Sequence, residues 1–263
     1  MTVVADTPPP RLPVRDRQAA LRESRGVVSP MLTRLADEHA TGVLHREHGT
    51  LHLVDGRVVH AESPLAPSLG TLLTAHGGLD ATAWQDAEDT ADEAHLLRHG
   101  VTAGVLELAQ VSALYDAAYF ALAPSSTPGR FRYGGAHWLA AVHPVPVDDL
   151  ERETLRRRAL LRHIWPDPAI DGAPLVRADP VAAPAVPSRQ AAVLARVDGV
   201  RKAVDIAREL GRPAFHTLVH LRRLAAAGLV CARTPLHQDH PSDAAGDPYV
   251  ALLKRVRDAL EAL

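Results

Sequence analysis

The sequence predicts an α+β fold: an N-terminal antiparallel β-meander with helices, a Pro-rich linker and a C-terminal helix-turn-helix unit. Three observations predict it. Short apolar runs between 42 and 61 are separated by His48-Gly49 and Asp55-Gly56, and Asp-Gly between alternating runs marks a tight turn. Helical periodicity dominates most of the remainder, segregated from the strands rather than alternating with them. Prolines at 166, 168, 174, 180, 184 and 187 withhold backbone donors and disfavour helix, marking 166–187 as an extended linker. The chain therefore divides into a flexible N-terminus (1–28), a first domain (29–165), the linker (166–187), a second domain (188–235) and a terminal helix (249–263).

The elements follow in order. Ser29 as N-cap and Pro30 in the first turn start a helix over Met31 to His39. The meander occupies 42–61. A helix from Pro67 to His76 stops at Gly77-Gly78, and shorter helices cover Asp80 to Asp89 and Asp92 to His99. Thr102 caps a helix over Ala103 to Leu122 with Leu106, Leu114, Ala117, Ala118 and Ala121 inward. Gly129 to Gly134 alternates as a strand. A helix over Val147 to Trp165 ends at Pro166, with Leu155, Ala159 and Leu160 inward. Its arginines 152, 156, 157, 158 and 162 form a solvated face paired with carboxylates such as Glu151 and Glu153.

Two resemblances rest on these residues. Thr41-Gly42-Val43-Leu44, then Leu53-Val54-Asp55-Gly56-Arg57-Val58-Val59-His60-Ala61-Glu62, Leu69-Gly70-Thr71-Leu72-Leu73 and Gly129-Arg130-Phe131-Arg132-Tyr133, resemble the PatA-type N-terminal domain of bacterial regulators. The resemblance covers about Ser29 to Trp165. It implies a regulatory or interaction domain and carries over no catalytic residue.

In the second half, Asp198-Gly199 precedes a helical pattern from Val200 to Leu210, closed by Gly211. Pro213 opens a second helix, Ala214 to Ala227, followed by Gly228 and a strand over Leu229 to Arg233. Helix, glycine turn, helix and Gly-Leu-Val into a strand resemble a winged helix-turn-helix domain. Ala207 permits close approach where the helices cross, and Gly211 supplies a positive φ. Leu218, Leu221 and Leu224 bury one face of the second helix. His216, Thr217, His220 and Arg223 are then left for a major groove, with Lys202, Arg208, Arg212 and Arg233 as phosphate contacts.

Composition sets the limits. The chain has 263 residues, 46% apolar and 23% charged, close to globular averages. No apolar run is long enough for a membrane helix, and no secretory signal opens the chain, so a soluble cytoplasmic protein is expected. Residues 188–235 hold nine basic and three acidic residues, whereas the chain as a whole carries −2. A basic segment beside an acidic one suits a nucleic-acid module attached to another unit. The single cysteine, Cys231, excludes an internal disulfide and is expected buried in its strand.

His45, His48 and His52 lie close in sequence, with His60 facing them across the meander. No His-Glu-x-x-His motif exists, so they are expected on the solvent face, with no metal. There is no phosphate-binding glycine loop and no G-x-S-x-G elbow; no enzyme activity and no cofactor are expected. The expected function is a DNA-binding transcriptional regulator, acting as a homodimer on duplex DNA, with an N-terminal sensing or protein-docking domain. The alternative is an adaptor that uses both domains for protein contacts.

Overall fold

The computed structural model describes residues 28–75, 78–139, 143–178 and 185–233. The expected terminal helix (249–263), the Gly77 stop and all of the N-terminus before Val28 lie outside them. The architecture is α+β, as expected.

Ser29 caps α1 (Pro30–Asp37): its Oγ accepts from the Leu32 amide, and Pro30 lies in the first turn. The meander is β1 (Gly42–Arg46), β2 (Gly49–Val54) and β3 (Arg57–Glu62). Asp55 and Gly56 have φ of 50° and 72°, the mirror-image turn that matches strand twist. With β4 (Arg130–Tyr133) added, the antiparallel sheet has the order β3-β2-β1-β4. Leu44, Leu51 and Ala61 lie in register across three strands and are buried. Val43, His52 and His60 are in register on the opposite face.

Three short helices follow: α2 (Leu69–Thr74), α3 (Ala81–Thr90) and α4 (Glu93–Arg98), capped by Ser68, Asp80 and Asp92. Gly70 has a packing role in the resemblance motif of α2. A Cβ there would lie 2.5 Å from Nε1 of Trp84.

Thr102 caps α5 (Ala103–Ala121) through the Val105 amide. This helix is apolar on nearly all sides because it runs through all three cores. Leu106 and Ala113 pack with α2, α3 and α4. Leu114, Ala117, Ala118 and Ala121 pack beneath the sheet. Tyr119 and Phe120 reach the core of the C-terminal unit.

The next helix, α6 (Val147–Ile164), buries a different face from the one expected. Val147, Leu150, Glu151, Thr154 and Leu161 are buried, whereas Leu155 and Ala159 are exposed. Glu151 is not an arginine partner: its Oε1 accepts from the Ser29 amide at 2.9 Å, tying α6 to the cap of α1. Leu161 belongs to the C-terminal core, so α6 spans both halves as α5 does.

The stretch read as a linker holds α7 (Ala169–Gly172) and β5 (Leu175–Arg177), and its Ile170 and Leu175 are core residues. The C-terminal unit contains α8 (Ser188–Leu194), α9 (Ala203–Glu209), α10 (Ala214–Ala226) and β6 (Val230–Ala232). β6 pairs antiparallel with β5, a strand that precedes the helices. The other side of β5 is bonded by Arg201 O and the Gly199 amide. That use of 199–201 delays α9 to Ala203, later than the periodicity predicts. Cys231 alternates to the solvent side of β6 and is exposed, contrary to expectation.

Replacing Gly70 with alanine is expected to push the Trp84 indole off α2 and lower stability by about 1–3 kcal/mol. Urea unfolding of the full chain checks this; an unchanged midpoint would show that Trp84 does not pack there.

Candidate functional site

The predicted DNA-binding residues lie on α9, α10 and their flanks, and the structure separates them into groups. Leu218, Leu221 and Leu224 are buried, as the helical spacing requires. The outward stripe of α10 carries His216 and Arg223, both exposed, and His220, half-buried. Arg212, in the turn before α10, is half-buried, and its amide donates to Ala207 O. These side chains share one neighbourhood with Arg189 of α8. Burial, and then the fields of Arg223, Arg212, His216 and Arg189, hold the His220 pKa below its ordinary value. His216 is lowered by burial, then by Arg157. Both histidines are thus neutral at pH 7, and the charge of the stripe comes from its arginines. Among the described residues, no carboxylate pairs with Arg189, Arg212 or Arg223. Between α8 and α9, by contrast, Arg196 and Arg201 are both bound to Glu209 of α9.

Thr217 is not on this surface. It is 1% exposed, and its hydroxyl donates back to Pro213 O at 3.4 Å. It stands four residues before Leu221 and seven before Leu224, so it shares their buried face. Arg208 is turned away as well: its guanidinium donates to Pro64 O beyond β3 and lies 3.9 Å from Asp205. Arg233 is exposed, with its amide bonded to Pro174 O and its guanidinium to Gly199 O. Lys202 is exposed at the start of α9, on the rim of a cavity of about 710 Å³ between the halves. Arg158 and Arg162 of α6 and Tyr119 and Phe120 of α5 line the same cavity.

Sequence reasoning missed the residues that seat α10. Asp116 of α5 is fully buried, and its two oxygens accept from the Ala214 and Phe215 amides at 2.6 and 2.7 Å. These amides are among the unpaired donors that begin any helix, and their positive end favours an anion. Arg157 lies 4.6 Å from the centroid of the Phe215 ring and is held by Glu153 at 2.8 Å. Arg222, 4% exposed, binds Asp171 of α7 through two contacts of 2.9 and 2.6 Å and also donates to the Leu161 and Trp165 carbonyls. A buried Asp inside an apolar helix was the one available signal, since such a residue needs donors from elsewhere.

A second polar cluster lies on the outer sheet face. His52 and His60 are cross-strand partners, and His137, from the segment after β4, stacks on His60 with centroids 4.1 Å apart. Glu62 Oε1 lies 3.4 Å from His60 Nε2. The hydrogen bond from His60 holds Glu62 down at about 2, while burial lowers His52 and takes His137 to about 3. His45 is exposed outside this cluster, and His48 lies in the β1–β2 turn.

Compared with known proteins, the chain matches no family model, no characterised protein and no solved structure.

Two outcomes are expected at Asp116. Asp116→Ala leaves two buried amides without an acceptor and should cost about 2 kcal/mol in chemical denaturation. Burial raises the Asp116 pKa to about 6 from an ordinary 3.8, against the opposing pull of the two amides and Arg157. Between those values the folded chain keeps a proton that the unfolded chain has released. The contribution of this group is therefore fully present below about pH 4 and lost as pH rises through 6, by up to about 3 kcal/mol. Unfolding of Asp116→Asn between pH 4 and 7.5 should lack that decline; an identical pH profile would contradict the assignment.

Proposed function

We propose that this chain is a DNA-binding transcriptional regulator whose contact surface is the outward stripe of α10. The observation that carries the reading is the set Arg189, Arg212 and Arg223, of which Arg189 and Arg223 are exposed and Arg212 half-buried, all without a carboxylate partner among the described residues. Cations left unpaired on a helix-turn-helix surface suit phosphate oxygens, and arginine does so through a planar fork of donors. The neutral His216 and His220 between them can donate and accept, as base edges require. Because Asp116 occupies the first amides of α10, contact would come from the side of the helix rather than its N-terminus. A homodimer would double the footprint, and the protein would act in the cytoplasm.

The N-terminal unit, from its likeness to PatA-type domains, is the sensing or protein-docking part. Val105 and Leu108, three residues apart on α5, are 54% and 71% exposed, an apolar patch suited to a protein partner. The adaptor reading draws on the same patch and on the engaged N-terminus of α10, which already serves a protein contact.

Fluorescence anisotropy with random duplex DNA at several salt concentrations tests the proposal. Binding should weaken with salt with a log–log slope of about −3 for three phosphate contacts per chain. Arg212→Ala with Arg223→Ala should weaken binding on every sequence and flatten the slope by about 2. A folded protein that does not bind at low salt, or binding indifferent to both substitutions, would overturn it and leave the adaptor reading.

A further inference from the structure

We propose that His52, Glu62 and His137 form a binding site for one divalent transition-metal ion of the zinc class. The strand register brings the first two ligands together. His52 on β2 pairs with His60 on β3, and Glu62 lies two residues beyond His60, hence on the same sheet face. The segment after β4 then lays His137 across this face, its ring centroid 4.7 Å from that of His52. One ligand atom from each of His52, Glu62 and His137 lies within 4.8 Å of the other two.

Two imidazole nitrogens and a carboxylate oxygen are a donor set that zinc favours, and they leave a coordination position open. Bond lengths of about 2.0–2.2 Å require donors about 3.4 Å apart, so the set must contract on binding. Glu62 has the freedom to do so, its side chain being 61% exposed. His60 is fixed behind it, 10% exposed, with Nε2 3.4 Å from Glu62 Oε1. That is the place of an outer partner that orients a ligating carboxylate. The His52 imidazole makes no hydrogen bond among the described residues, so none of their donors competes for its lone pair. His137 is different: its Nδ1 accepts from the Leu139 amide at 3.2 Å. A metal must displace that bond or move the ring proton, and the Leu139 amide should report the event. Beside the cluster, a cavity of about 160 Å³ reaches Trp84 and Trp138 and gives a path to Glu62 and His137.

The test is titration of the metal-stripped full chain with Zn²⁺ by calorimetry and with Co²⁺ by visible absorption. One equivalent is expected to bind, to raise the melting temperature and to shift the Leu139 amide resonance. His137→Ala and Glu62→Gln should each weaken binding at least tenfold, whereas His45→Ala and His48→Ala should not. Circular dichroism establishes that the variants fold, and Glu62→Gln, at an exposed side chain, keeps the test valid if His137→Ala does not. Absence of a one-equivalent site, or equal binding by Glu62→Gln and the parent, would overturn the proposal.

Discussion

A buried carboxylate, Asp116, sets how the two halves of this protein meet. It lies in the middle of α5, the helix that touches all three cores, and aims both oxygens at the first amides of α10. A carboxylate in that environment is unfavourable unless donors meet it, and the unpaired amides of a helix start are unfavourable unless an acceptor meets them. Each need is answered by the other across 98 positions of sequence. Around this point, Arg157 covers the Phe215 ring and Arg222 ties α10 to α7. The polar contacts fix orientation, while Leu161, Phe215 and Leu218 supply the apolar burial between the halves.

That constraint selects the face of α10 left open to solvent. Held by its N-terminus, α10 presents its side instead, and that side carries His216, His220 and Arg223 with Arg212 adjoining. The proline-containing stretch after α6 reinforces the arrangement. Its β5 fills the strand position beside β6, so residues expected to be a tether are part of the C-terminal unit. The same principle, polar groups positioned by long-range pairing, produces the histidine cluster on the far sheet face.

Local chemistry was legible in the sequence. The Ser29-Pro30 start, the Asp55-Gly56 turn, the Thr102 cap and the Gly211 turn (φ of 56°) all fall where their residue types demand. The inward positions of α5 and the leucines of α10 follow from helical spacing. Features that depend on distant partners were not legible. Nothing near Glu151 signals that the Ser29 amide, 122 positions away, will claim it. The inward face of α6 was misjudged for the same reason, because α6 serves two cores and no single stripe describes it. His52 and His60 were visible as strand neighbours, but His137 joins them only through the fold.

Amide hydrogen exchange at Ala214 and Phe215 tests the seating of α10 most directly. If Asp116 holds these amides, both should exchange as slowly as those of Leu221 and Leu224 in the same helix, although the first residues of a helix ordinarily exchange fast. Rapid exchange at Ala214 and Phe215, with Leu221 and Leu224 still protected, would show that the helix start is open and that Asp116 does not join the two halves.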